Sequence, residues 1–460
     1  MVPRLNGCDL PGSLPALRDL VRAGMGGFIV FGGELDVLRE ALAALQAEAR
    51  EAGHPPLVIC SDLERGLGQQ VRGGTEYPPA AAMARAEEGS STMFDLAHAR
   101  MAAEAAWAGI NVILAPVADV DVNPANPIIA TRSFGPEAHR VGSLVARVVR
   151  VYENSGVRAC VKHYPGHGDT GTDSHLSLPV LDKPMSELDA LELVPFARAI
   201  DAGVGMVMPG HLHVPALDPN LPASLSRRAI QGHLRGKMGF QGIVITDALD
   251  MGALREITEP GAARLALEAG ADIILHPTNA LALARGLAGM EMDEGALAAS
   301  DERMGAFRRG LLPGPSGKMP AFDQRLARRL THLALRWTSP LSTGGISGAE
   351  LVILSDDGTD ASALIETVGI PATVITDGQV PEMGGDLIVA VFSEARAWKG
   401  GAASWIREAI GVLEPRTRAY ACFGPDGLLA AATAPVLRVS WGSEMAQQEA
   451  GAELRRIIGQ

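Results

Sequence analysis

The chain has 460 residues, of which 47% are hydrophobic, 20% charged and 4% aromatic, with a formal net charge of −13. That length exceeds what one hydrophobic core supports and predicts two domains, and the balance of residues is globular rather than disordered or fibrous. Phosphate backbones and anionic lipids repel so acidic a surface, which excludes nucleic-acid and membrane partners and leaves a small molecule as the expected partner.

Cys8, Cys60, Cys160 and Cys422 lie far apart with no CxxC pair. The spacing offers neither a disulfide framework nor a cysteine zinc site, and it points to a reducing, cytoplasmic location. The N-terminal MVPRLNGCDLPG lacks an apolar stretch of signal-peptide length, and no apolar run in the chain is long enough to span a bilayer.

From residue 26 onward, apolar runs of strand length alternate with Ala- and Leu-rich helical stretches. They are GGFIVFG (26–32), LVICSD (57–62), GINVILAPV (109–117), VRACVKH (157–163), GVGMVMPGH (203–211), GIVITD (242–247) and ADIILHP (271–277). Continuous apolar strands are buried on both faces, as in a parallel sheet covered by helices. Seven such units predict a (β/α)8 TIM-like barrel over residues 1–312, with an eighth strand that the pattern leaves unplaced. Asp62, Lys162 with His163, His211 and Asp247 each fall at or just past the C-terminal end of a strand, the face on which barrel enzymes build their active sites.

RRGLLPGPSGKMPAF then supplies Gly, Pro and Ser in linker density, and FDQRLARRLTHLALRW (322–337) is amphipathic. These predict a linker and connecting helix over residues 313–345. A second βα series, ELVILSD, ATVITD, DLIVAVFS, RAYACFG and VLRVSW, predicts a smaller αβα sandwich domain over residues 346–460. It carries no glycine fingerprint for a dinucleotide, so no cofactor is expected.

VKHYPGHGDTGTDSH (161–175) gathers Lys162, His163, His167, Asp169, Asp173 and His175 into one loop. One reading is a metal centre, and HLH at 211–213 resembles the His-x-His pair of metal-dependent barrel hydrolases. That pair belongs on the first strand of such a barrel, however, whereas here it follows the fifth. Gly166, Gly168 and Gly171 also make a poor rigid cage, so no metal is expected. The other reading is acid/base chemistry: Asp173 beside His175 can fix its tautomer and raise its pKa, giving a proton donor near neutrality. A barrel mouth would bring Asp247 opposite that pair as a nucleophile, although an aspartate before ALDMGAL serves equally as a helix N-cap.

KHYPGHGDTGTDSH resembles the K-H-F-P-G-H-G-D-T-x-x-D-S-H signature of family 3 glycoside hydrolases, in their bacterial β-N-acetylglucosaminidase branch. SDLERG with GGTEYPPA (61–80), NPANPIIATRSFG (123–135) and VITDALDMGAL (244–254) agree with the same branch, so the likeness spans the barrel. The remainder looks like the α/β sandwich of two-domain members. The resemblance implies Asp247 as nucleophile, His175 as general acid/base oriented by Asp173, and Asp62, Arg132, Lys162 and His163 as the groups that hold the terminal sugar. The family often has Arg eight positions after the residue matching Asp62; this chain has Gln70, which puts one hydroxyl contact in question.

The implied activity is that of a retaining exo-β-N-acetylglucosaminidase. It would act on small soluble glycosides such as peptidoglycan-derived muropeptide fragments, through a covalent glycosyl-aspartate. Before residue 312 the only tryptophan is Trp107, with Tyr77, Tyr152 and Tyr164, too few stacking platforms for a long polysaccharide cleft. The alternatives are another family 3 β-glycosidase, a phosphorylase in which phosphate replaces water, a sugar-binding protein with a decayed site, and a metal-dependent barrel hydrolase.

Overall fold

Runs of residues buried on both faces pair here into a parallel sheet. The computed structural model describes every residue except 172, 173, 175, 176, 341–345, 347, 357, 394–403, 459 and 460. Seven parallel strands pair in chain order: β1 (Arg4–Asn6), β2 (Gly27–Phe31), β3 (Val58–Ser61), β4 (Val112–Ile113), β5 (Arg158–Tyr164), β6 (Met206–Pro209) and β7 (Ile243–Val244). Six of them fall within apolar runs expected from the sequence. β1 does not, because three residues flanked by Pro3 and Gly7 leave no apolar run to recognise. ADIILHP, expected as a strand, makes single parallel bridges instead, Ile273 to Ile245 and Leu275 to Val2.

Side chains from successive strands fill one core, with Val2, Ile29, Val58, Cys60, Val112, Cys160, Met206, Ile243, Ile273 and Leu275 in contact. Amphipathic helices cover the sheet: in Leu35–Glu51 the buried positions Leu35, Leu38, Ala41, Leu42, Leu45 and Ala49 recur at helical spacing. Two buried amides set the start of β3. Gln46 donates from Nε2 to the Leu57 carbonyl at 3.0 Å and accepts the Leu57 N–H at 2.9 Å. Asn111 accepts the Ile59 N–H at 2.9 Å and donates back to the Leu57 carbonyl at 2.9 Å, which fixes where β3 begins.

The chain forms two compact units. The first comprises Met1–Glu76, Asp95–Val120 and Pro136–Asp323; the second comprises Tyr77–Phe94, Asp121–Gly135 and Gln324–Gln460, so it draws in two segments that precede residue 312. In the second unit a six-stranded sheet runs β10-β9-β11-β12-β13-β8, with β8 (Arg336–Trp337), β9 (Glu350–Ser355), β10 (Ala372–Ile375), β11 (Leu387–Phe392), β12 (Thr417–Phe423) and β13 (Val436–Arg438). All its pairings are parallel except β13 with β8. The amphipathic stretch 322–337 is helical over Gln324–Ala334 only, and its last residues turn into β8, which pairs Trp337 with Leu437. Phe392 and Phe423 stack at 4.1 Å between centroids in the middle of this sheet. Among the described residues no helix is long and apolar enough to cross a membrane.

Candidate active site

β5 carries the densest chemistry. Lys162 has only 3% of its side chain exposed, and an ammonium so enclosed needs counter-charges. The loop after β3 supplies two, with Asp62 Oδ1 at 2.6 Å and Glu64 Oε1 at 2.8 Å from Nζ. The Gln70 side chain reaches the Asp62 backbone carbonyl, at 3.5 Å from its Nε2.

His163 is bound from the other side by Asp119, which lies just past β4. Asp119 Oδ2 is 2.7 Å from His163 Nδ1, while its Oδ1 accepts the backbone N–H groups of His163 at 3.2 Å and His167 at 2.7 Å. Burial works against the ionised form of Asp119. The charge of His163, its hydrogen bond and the His167 N–H outweigh that effect and hold the carboxyl below the usual range. An ionised carboxylate only accepts, so Nδ1 of His163 carries a proton.

Asp247 follows β7, which β6 separates from β5 in the sheet, and is partly exposed. Its Oδ1 accepts the N–H of Ala248 at 2.9 Å. Burial raises its pKa, but the charges of His163 and His211, the Ala248 N–H and the charge of Lys162 together bring it below the ordinary value, so the carboxylate is ionised at neutral pH. Asp62, Lys162, His163 and Asp247 are thereby brought into one electrostatic cluster. His211, also from the sequence-derived set, is fully buried behind it, its Nδ1 2.6 Å from Ser224 Oγ and its Nε2 3.0 Å from the Ala248 carbonyl.

The glycines after β5 make close packing possible. A Cβ on Gly168 would lie 1.9 Å from the Val120 carbonyl oxygen, and Gly166 has φ +137° with Glu192 against it. Lys183 ties the loop down through Asp169 and Glu192, both at 2.5 Å. His167 is buried in the same loop. Thr170 Oγ1 donates its one proton to the His167 carbonyl at 3.0 Å, so its 2.6 Å contact with Nδ1 requires an Nδ1–H donor. Burial lowers the His167 pKa to about 4; the ring is neutral, and Nε2 accepts from Ser174 Oγ at 3.1 Å.

Asp173 and His175 lie outside the described residues. Ser174 between them is described: it is buried, and its carbonyl accepts the Ala253 N–H at 3.1 Å. Arg132 belongs to the second unit, where it ends the short 3-10 helix Ala130–Arg132 and donates from Nη1 to the Ile128 carbonyl at 3.2 Å.

Sequence reasoning passed over Asp119 and Glu64. Both were accessible to the strand-end rule that singled out Asp62 and Asp247, since Asp119 lies two residues beyond GINVILAPV and Glu64 two beyond Asp62. Neither ring nitrogen of His211 is left for a metal by the Ser224 and Ala248 contacts. Among the described residues no group of three or more His, Cys, Asp or Glu side chains is placed to hold one.

Comparison with known proteins gives these strand ends their class: the chain is a glycoside hydrolase. Residues 16–304 match the Glycosyl hydrolase family 3 N terminal domain, and the chain belongs to that family. It is 36% identical over 257 residues to a β-hexosaminidase of Chromobacterium violaceum, covering 55% of this chain and 71% of the relative. It is 35% identical over 279 residues to a β-hexosaminidase of Tolumonas auensis, covering 60% and 81%. Among solved structures it is similar to a family 3 β-N-acetylglucosaminidase from Paenibacillus sp. str. FPU-7, with a TM-score of 0.80 and 27% identity over 99% of this chain and 95% of the other. The α/β architecture with two sheets is that of these family 3 structures.

Proposed function

We propose that the protein is a retaining exo-β-N-acetylglucosaminidase that releases terminal β-linked N-acetylglucosamine from small soluble glycosides. The observation that carries the reading is Asp247, an ionised, partly exposed carboxylate at a strand end beside Lys162 and His163. It is joined by the names of the relatives, two β-hexosaminidases and a β-N-acetylglucosaminidase, and by NagZ from Neisseria gonorrhoeae, solved in complex with N-trifluoroacetyl-D-glucosamine and 27% identical over 73% of this chain. The seven-stranded sheet is read as a closed (β/α)8 barrel, since Ile273 and Leu275 bridge its two outer strands, and residues 1–312 as its domain.

Cleavage of a glycosidic bond passes through an oxocarbenium-like transition state, which calls for an anion on one face of the sugar and a proton donor at the leaving oxygen. Asp247 attacks C1 as the bond to the leaving oxygen breaks, forming a glycosyl ester. His175, oriented by Asp173, gives its proton to that oxygen; neutral His175 then takes a proton from water as the water oxygen displaces Asp247 from C1. The configuration at C1 is inverted twice and so retained. Asp62, Lys162 and His163 hold the hydroxyls and the acetamido group. Lys162 suits this task, because an ammonium clamped by Asp62 and Glu64 presents a fixed donor without rotamer loss on binding.

Scarce aromatics favour one terminal sugar over a long chain, and muropeptide fragments of peptidoglycan are the proposed natural glycosides. Free thiols at Cys8, Cys60, Cys160 and Cys422 favour the cytoplasm. The test is release of p-nitrophenol from the β-N-acetylglucosaminide and the β-glucoside, with and without phosphate and with EDTA. Release from the acetamido sugar alone, indifferent to both additions, is the expected result. Dependence on phosphate would make the protein a phosphorylase, and loss with EDTA would make it a metal enzyme.

A further inference from the structure

His211 is left without a task once the metal reading of HLH is set aside, yet its surroundings are specific. The imidazole has no solvent exposure, and both nitrogens are engaged. A carbonyl oxygen only accepts, so the 3.0 Å contact from Nε2 to the Ala248 carbonyl makes Nε2 a donor. Nδ1 is fixed at 2.6 Å by the Ser224 hydroxyl, which sits in the 3-10 helix Ala223–Leu225. That helix is tied back to the strand end by the Ala223 N–H, which donates to the Leu212 carbonyl at 2.8 Å.

The residue on which His211 acts is the one that holds the Asp247 carboxylate. Ala248 uses its N–H on Asp247 Oδ1 at 2.9 Å and its carbonyl on His211, so both polar groups of one residue are engaged. The flanks of the turn are pinned as well: Thr246 Oγ1 accepts the Leu275 N–H at 3.0 Å, and Leu249 N–H donates to the Leu275 carbonyl at 3.2 Å. Thr246 and Leu249 fix the path of the chain along Leu275. The Ala248 carbonyl also accepts the Met251 N–H at 3.3 Å; the shorter His211 contact is the side-chain tie on that carbonyl, and it sets the rotation of Ala248 and with it the direction of the N–H that orients the carboxylate.

We infer that His211, itself oriented by Ser224, is a positioning residue for the glycosylation step: it holds Ala248 so that the carboxylate of Asp247 faces C1. The inference rests on the proposed role of Asp247 as nucleophile. A side chain that acts on the direction of attack and does not touch the sugar alters the chemical step and leaves ground-state binding unchanged.

The test compares kcat and KM on p-nitrophenyl β-N-acetylglucosaminide for His211→Ala, His211→Gln, His211→Asn and Ser224→Ala, each normalised to folded protein. His211→Ala is expected to lose about 10- to 100-fold in kcat with KM within about threefold of wild type. Gln places an amide N–H near the position of Nε2 and recovers most of the rate. Asn places its amide near Nδ1, facing Ser224 instead, and does not. Ser224→Ala shows the same loss in weaker form, and it keeps the inference testable should His211→Ala not fold. A kcat within twofold of wild type in folded His211→Ala and Ser224→Ala, or equal rates for Gln and Asn, overturns the inference. Asp247→Ala run beside them separates the two readings: an inactive Asp247→Ala with an unimpaired His211→Ala removes only the role of His211, while an active Asp247→Ala removes the nucleophile and this inference with it.

Discussion

Lys162 and Asp62 stand 100 residues apart in the chain, yet Nζ of the one lies 2.6 Å from Oδ1 of the other, at the ends of two strands separated in the sheet only by β4. Glu64 closes on the same ammonium at 2.8 Å. Removing the cation strands two carboxylates that share one site. Lys162→Met is expected to lose about 3–5 kcal/mol of stability in denaturant titration and at least about 100-fold in kcat/KM. Adding Glu64→Gln to it should recover part of the stability and none of the activity, the sign of a cation needed by substrate as well as by the fold.

Asp119 fixes which nitrogen of His163 carries the proton. In Asp119→Asn the amide can donate to Nδ1 and so favours the opposite tautomer, while the two backbone N–H groups keep an acceptor in the amide oxygen. The expected outcome is a fall of about 100-fold in kcat/KM with an unchanged circular dichroism spectrum. A variant within threefold of wild type would free His163 from any tautomer-dependent task.

His167 gives the fold a defined pH response. Its folded pKa is lowered from 6.5 to about 4 by burial, so the unfolded chain binds the proton more readily between those values. The term is absent above about pH 6.5, grows as the pH falls and is complete below about pH 4, at a total of roughly 3 kcal/mol. Between pH 7 and pH 5 wild type should therefore lose about 2 kcal/mol more than His167→Gln, which does not titrate. Equal losses in the two proteins would contradict the buried, neutral ring.

Gly168→Ala tests the close approach of the loop to Val120. A methyl 1.9 Å from a carbonyl oxygen cannot be absorbed by a side-chain rotation, so the loop must shift. Expected are a loss of about 1–3 kcal/mol in stability and a loss of kcat larger than that in KM, because the shift carries Ser174 away from Ala253. Gly171→Ala, with nothing within 4 Å of its Cβ, serves as the control that should match wild type.

How much of this was legible in the sequence depends on the physical origin of each signal. Strands such as GGFIVFG and VRACVKH declare themselves because burial on both faces demands an unbroken apolar run, and the polar residue that ends each run marks the face where chemistry gathers. β1 does not declare itself: RLN is short and has one buried side chain, and its place comes from pairing with β2, which only the folded chain supplies. Asp62, Lys162 and Asp247 were legible for the same strand-end reason, whereas Glu64 was hidden by looking like ordinary loop polarity two residues on. Ser224 and Ala248 could not be found from sequence at all, since their parts are set by a carbonyl and a hydroxyl meeting one imidazole. The division of segments 77–94 and 121–135 into the second unit was equally out of reach, because no composition shift marks either of them.

Attack of Asp247 on the sugar leaves a glycosyl-enzyme, and trapping that species tests whether Asp247 is the nucleophile. Wild type should be quenched in acid during turnover of an activated β-N-acetylglucosaminide, digested, and its peptides weighed beside those of Asp247→Ala. Expected are one N-acetylglucosaminyl residue added to the peptide that contains Asp247, no such adduct in the variant, and a loss of turnover in the variant of at least about 1,000-fold. An adduct on any other residue, or an Asp247→Ala protein that turns over at the wild-type rate, would contradict attack by Asp247.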